Sequence, residues 1–268
     1  MMQCMPVSPW LLALLAGIGT WLVTALGAAT VFLLRGENPK IRNWMLGFAA
    51  GVMIAASFWS LLAPAIELAG QVLTMPAWLV ATLGFLSGAV FLYLSDKAVS
   101  GARKQVEGSR GAGLRRIRML VLSITLHNIP EGLAVGVAFG ALQHDGSPER
   151  LMAAVTVALG IGIQNYPEGA AVALPMRREG CSARKSFLYG QASAMVEPLA
   201  ALLGALLVLH VQQLLPFALA FAAGAMILVA VHELIPECQA ERGSSPYCST
   251  MGILAGFSVM MLLDVALG

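Results

Sequence analysis

Apolar residues run along this chain in long, nearly unbroken stretches rather than in alternation. Eight of them, roughly 9–34, 41–66, 76–96, 117–142, 150–175, 186–209, 212–236 and 249–267, have the length of a membrane-spanning helix, which needs about 20 apolar residues. A transmembrane barrel would need alternating segments of about 10 residues, and these stretches do not alternate. The short connections leave no room for a separate soluble domain. The pattern predicts an all-α integral membrane protein, one transmembrane domain over residues 1–268, with eight helices.

Composition agrees: 58% of the residues are hydrophobic and 11% charged, against about 25% charged in soluble domains. The net charge of +2 hides an asymmetry. If connection 35–42 lies inside and the spans alternate, the inner side holds Arg35, Lys40, Arg42, the basic segment Lys97–Arg118, Arg177, Arg178, Arg184, Lys185 and Arg242. The outer side holds only Arg150. The positive-inside rule then puts both termini outside a cell inner (plasma) membrane. A basic loop in such a chain is first a topology signal, and no nucleic-acid motif accompanies it, so no nucleic-acid partner is expected. Cys4, Cys181, Cys238 and Cys248 form no close-spaced pair, and no disulfide framework is expected.

Two of the apolar stretches carry a polar interruption. The fourth contains HNIPEG, His127–Gly132, and the fifth contains QNYPEG, Gln164–Gly169. Consecutive spans run antiparallel, so the same device enters from both sides, a pattern that points to a midplane binding site in transporter-like chains. Pro130 and Pro167 withhold an N–H from the carbonyls of Leu126 and Ile163, and each ring is expected to kink its helix. Helical spacing puts His127 and Asn128 on a face with Glu131, and Gln164 and Asn165 on a face with Glu168. Gly132, Gly136 and Gly140 form a ridge along which another helix can approach. Glu197-Pro198 adds a third carboxylate inside the sixth stretch. Three unpaired carboxylates at the bilayer centre would cost about 8–10 kcal/mol, and no Lys or Arg lies mid-span to pair with them. A divalent metal meets that need. Imidazole nitrogen with amide and carboxylate oxygens suits zinc, iron or manganese.

These residues resemble the signature of the ZIP (Zrt/Irt-like) family of divalent-metal transporters, most closely its short prokaryotic members. The likeness runs over essentially the whole chain and includes the C-terminal MMLLDVALG. It implies an inverted repeat of helices 1–3 and 6–8 around a central helix 4–5 pair. It implies metal uptake toward the cytoplasm, with zinc foremost and iron, manganese or cadmium as other cargoes. By motif match, one metal position uses His127, Glu131, Gln164 and Glu168. A second, adjacent one uses Asn128, Glu131, Asn165, Glu168 and Glu197. Bacterial relatives can carry Asp where this chain has Asn165, so the second position here lacks one charge. No permanent cofactor is implied, and a homodimer is compatible with the family.

Other polar residues are candidates for the transport route. Met53 and Ser60 share a face of helix 2. Glu67 and Asp264 lie toward the outside, and Asp96, His232, Glu233 and Glu237 toward the inside; for each, an interfacial role weighs about equally. His232-Glu233 begins the metalloprotease pattern H-E-x-x-H, but Pro236 replaces the second histidine, so no enzyme is expected. The remaining alternative is a proton- or sodium-coupled carrier of a non-metal solute, in which the carboxylates would titrate rather than bind metal.

Overall fold

The computed structural model describes residues 7–33, 38–104, 112–144, 146–178, 180–210, 212–240 and 246–267. Arg35, Arg242 and Cys4, named above, and residues 105–111 of the basic segment lie outside them. The regular structure of the described part is all helical. In chain order it comprises α1 (Pro9–Leu33), α2 (Pro39–Ala56), α3 (Ala63–Val72), α4 (Ala77–Lys104), α5 (Ala112–Gly140), α6 (Pro148–Arg178), α7 (Ala183–Ala192), α8 (Val196–His210), α9 (Leu215–Val229), α10 (Ile235–Ala240) and α11 (Pro246–Leu267). Among the described residues, six helical spans are long and apolar enough to cross a membrane: Pro9–Leu33, Pro39–Val72, Ala77–Ala98, Ala183–Val208, Leu215–Gln239 and Tyr247–Ala266. The protein is a multi-pass membrane protein. The motif-bearing α5 and α6 are not among those six.

Helix ends follow local chemistry. Asn38 caps α2, its side chain accepting from the Lys40 N–H at 3.0 Å, and Pro39 occupies the first turn, where no N–H is missed. Past α6, Gly180 adopts φ +89°. Its N–H reaches the Arg177 carbonyl and that of Cys181 reaches Met176, a stop that favours glycine because a Cβ is strained there.

The interruptions differ from the expected ones. α5 and α6 remain helical through Pro130 and Pro167. Widened π turns appear instead at Ser57–Leu62, joining α2 to α3, and at Ala230–Leu234, joining α9 to α10. Each lies just before a proline, Pro64 or Pro236. At their ends the Ala63 N–H reaches back to Phe58 and the Ile235 N–H to Ala230. Opening the turn relieves the clash between a proline ring and the preceding turn. The sixth apolar stretch is also divided, by a turn at residues 193–195 between α7 and α8.

Four helix pairs dominate the packing: α1 with α6, α5 with α8, α2 with α11 and α4 with α9. They meet backbone to backbone. A Cβ on Gly27 of α1 would run into the Tyr166 carbonyl, and one on Gly136 of α5 into the Ala201 carbonyl. The predicted ridge of Gly132, Gly136 and Gly140 faces α8 along its length, the close approach that small residues permit in membranes.

Candidate metal centre

Because α5 and α6 stay helical through their prolines, the motif side chains keep helical spacing and face one another. The Gln164 Nε2 donates to Glu131 Oε1 at 2.7 Å. Asn165 Nδ2 donates to both Glu197 oxygens at 2.9 Å and lies 3.3 Å from the Thr20 carbonyl. Asn128 Nδ2 donates to the Ser193 carbonyl at 2.9 Å. His127 Nε2 lies 2.9 Å from Glu233 Oε1. Glu131, Gln164, Asn165 and Glu197 are fully enclosed, His127 and Asn128 are buried, and Glu168 is half-buried.

One pair from each sequence-derived grouping is thus in direct contact: Glu131–Gln164 from the first and Asn165–Glu197 from the second. No hydrogen bond joins His127 to Glu131; its imidazole turns instead to the π turn before α10. What the carboxylates and amides leave unsatisfied is uniform in kind. Asn128 Oδ1, Glu131 Oε2, Gln164 Oε1, Asn165 Oδ1 and Glu168 Oε1 are buried without a hydrogen-bond partner. All five are acceptors when the carboxylates are ionised, and each orphan costs about 1–3 kcal/mol. Among the described residues no three His, Cys, Asp or Glu side chains form a ready-made metal cage. Any cation held here would draw on the amide oxygens as well.

The route candidates fall on distinctive elements. Ser60, on the first π turn, donates to Asp264 Oδ1 of α11 at 2.6 Å, and Asp264 Oδ2 has no partner. His232 and Glu233 lie on the second π turn and line a small cleft with Asp96 and His127. Met53 is buried in α2. Glu67 is exposed and accepts from Gln71 at 3.3 Å, and Glu237 is exposed on α10. Sequence reasoning missed Thr20 and Ser193. Ser193 takes part through its backbone carbonyl, which leaves no side-chain signal, whereas Thr20 offers its carbonyl to Asn165 and also sets its side chain against Glu197.

The model of the ZIP zinc transporter family matches residues 111–264, more than half of the chain. Zinc transporter ZIP11 of Homo sapiens is 39% identical, with 96% of this chain and 97% of ZIP11 covered. Zinc transporter GufA of Myxococcus xanthus is also 39% identical, over 96% of this chain and 97% of GufA. Zinc transporter ZIPB of Bordetella bronchiseptica is 37% identical, over 96% of this chain and 81% of ZIPB. With the family model and full-length relatives in agreement, this chain belongs to the ZIP family, whose members are transporters and not enzymes.

Proposed function

We propose that this protein carries a divalent transition metal, zinc foremost, into the cytoplasm through a site at the centre of α5 and α6. The observation that carries this reading is the set of five buried, unpartnered oxygens on the motif residues Asn128, Glu131, Gln164, Asn165 and Glu168. A divalent cation satisfies several acceptors at once and offsets carboxylate charge within the membrane. His127, Glu131, Gln164 and Glu168 are the proposed ligands, and their mixed nitrogen and oxygen donors suit zinc, iron or manganese. The relatives ZIP11, GufA and ZIPB, each named a zinc transporter, support zinc.

We read the fold as eight spans: α1, α2–α3, α4, α5, α6, α7–α8, α9–α10 and α11. The first three would repeat, inverted, as the last three. The packing supports this. Exchanging the two sets turns the α1–α6 pair into α8–α5 and the α2–α11 pair into α9–α4, and superposes one π turn on the other. A short chain of the bacterial kind also fits. Alignment with ZIP11 runs over 335 positions, more than these 268 residues, so ZIP11 carries insertions, whereas that with GufA needs 260.

Uptake by proteoliposomes across a panel of divalent ions tests the transport reading, and zinc is expected to lead. Crystals soaked in Zn²⁺ or Cd²⁺ should give an anomalous peak between α5 and α6 within coordination distance of Glu131 and Glu168. An empty site at saturating metal would overturn the reading. The orientation, termini outside the plasma membrane, is tested separately. In a background without native cysteines, Ser109→Cys in intact cells should resist impermeant thiol reagents. Ready labelling would reverse the topology.

A further inference from the structure

The three central carboxylates are not equivalent. Glu131 and Glu168 each keep a buried oxygen with no partner, whereas both Glu197 oxygens are satisfied, each 2.9 Å from Asn165 Nδ2. We infer that Asn165 takes the place of a second cation, holding Glu197 by hydrogen bonds so that the centre binds a single divalent ion at His127, Glu131, Gln164 and Glu168. The inference rests on the metal-transport reading above and adds the number of ions and the residue that sets it.

The direction of the amide follows from its surroundings. Its nitrogen faces Glu197 and also the Thr20 carbonyl at 3.3 Å, which has no proton to give. The N–H side must therefore point there. It sits equally far from both carboxylate oxygens, the position a chelated ion would occupy. Glu197 is fully enclosed, away from bulk water. Asn165→Asp would set four carboxylates against two divalent ions, an even balance; with Asn165 there are three, one charged ligand fewer for a second ion.

The test is a metal count on purified full-length protein equilibrated with excess Zn²⁺ and desalted, read by plasma mass spectrometry. The central ions are those lost on adding Glu131→Ala. The native chain should lose one ion, and Asn165→Asp should lose two. Glu197→Gln should leave the native count at one but return the Asn165→Asp count from two to one. A native loss of two ions, or a count that stays at one in Asn165→Asp, overturns the inference while metal transport stands. A native loss of none overturns the transport reading itself and the inference with it.

Discussion

HNIPEG on α5 and QNYPEG on α6 differ only in His for Gln and Ile for Tyr, yet they do different things. Both use the Asn-x-Pro-Glu-Gly frame within an unbroken helix. On α6 both amides point into the centre, Gln164 to Glu131 and Asn165 to Glu197. On α5 Glu131 faces the centre, while Asn128 reaches the Ser193 backbone and His127 reaches Glu233. The shared residues set the backbone and deliver a carboxylate. The residue that opens each motif chooses the partner. One motif therefore anchors the site to its surroundings, and the other quiets the negative charge within it.

The sharpest way to break this comparison is to remove the carboxylate that α5 contributes. Glu131→Ala takes away the acceptor of Gln164 together with a proposed ligand common to both positions. Zinc uptake should fall to that of empty vesicles, measured with the variant confirmed in the membrane. Substantial residual uptake would mean that the carboxylate is an ordinary buried group.

The next effect is smaller and lies on the anchoring side. Metal-bound histidines commonly give their second ring nitrogen to a carboxylate, and loss of that partner lowers affinity about 10–100-fold. Glu233→Gln should lower zinc affinity by about tenfold, and His127→Ala by more. His127→Ala should also narrow the preference for zinc over manganese, because it removes the only nitrogen donor of the proposed set. Competition between ions in uptake assays reads both. An unchanged preference in His127→Ala would place the imidazole outside the coordination shell.

Acidity acts on both motifs at once. Metal binding requires neutral imidazole and ionised carboxylate, so protons compete with the ion. Uptake should fall as external pH is lowered, with the apparent Km for zinc rising before the maximal rate declines. Glu233→Gln should alter that profile, whereas substitution of the exposed Glu67 should leave it unchanged.

The parts of this molecule legible in the sequence are those written in side-chain type and spacing. The glycine ridge of α5 was visible as a four-residue repeat, and it meets α8 as expected. The residues of both motifs were visible as polar groups where lipid tolerates none. The Ser60–Asp264 and His127–Glu233 contacts were not, because the partners are far apart in the chain and meet only through packing. The π turns were missed for a different reason. A proline announces that one hydrogen bond is lost, but not whether the helix will bend, break or widen to absorb it. At Pro130 and Pro167 the helix continues, and before Pro64 and Pro236 it widens.

The smallest expected effect concerns the close contacts that hold the two motifs in place. Gly27 and Gly136 serve the two helix pairs that the proposed inversion exchanges: one seats α1 on α6, the other seats α5 on α8, and in each a Cβ would meet a backbone carbonyl. Backbone cannot rotate away as a side chain can, so Gly27→Ala and Gly136→Ala should each destabilise by about 1–3 kcal/mol. Gly19, with open space around its position, is the control. Gly19→Ala should be neutral or gain up to about 1 kcal/mol from helix propensity. Thermal unfolding in detergent checks all three. If the inverted pairing is real, the two contact variants should lose similar stability. A loss confined to Gly136→Ala would mean that α5–α8 is the structural pair and that α1 is free to shift against α6.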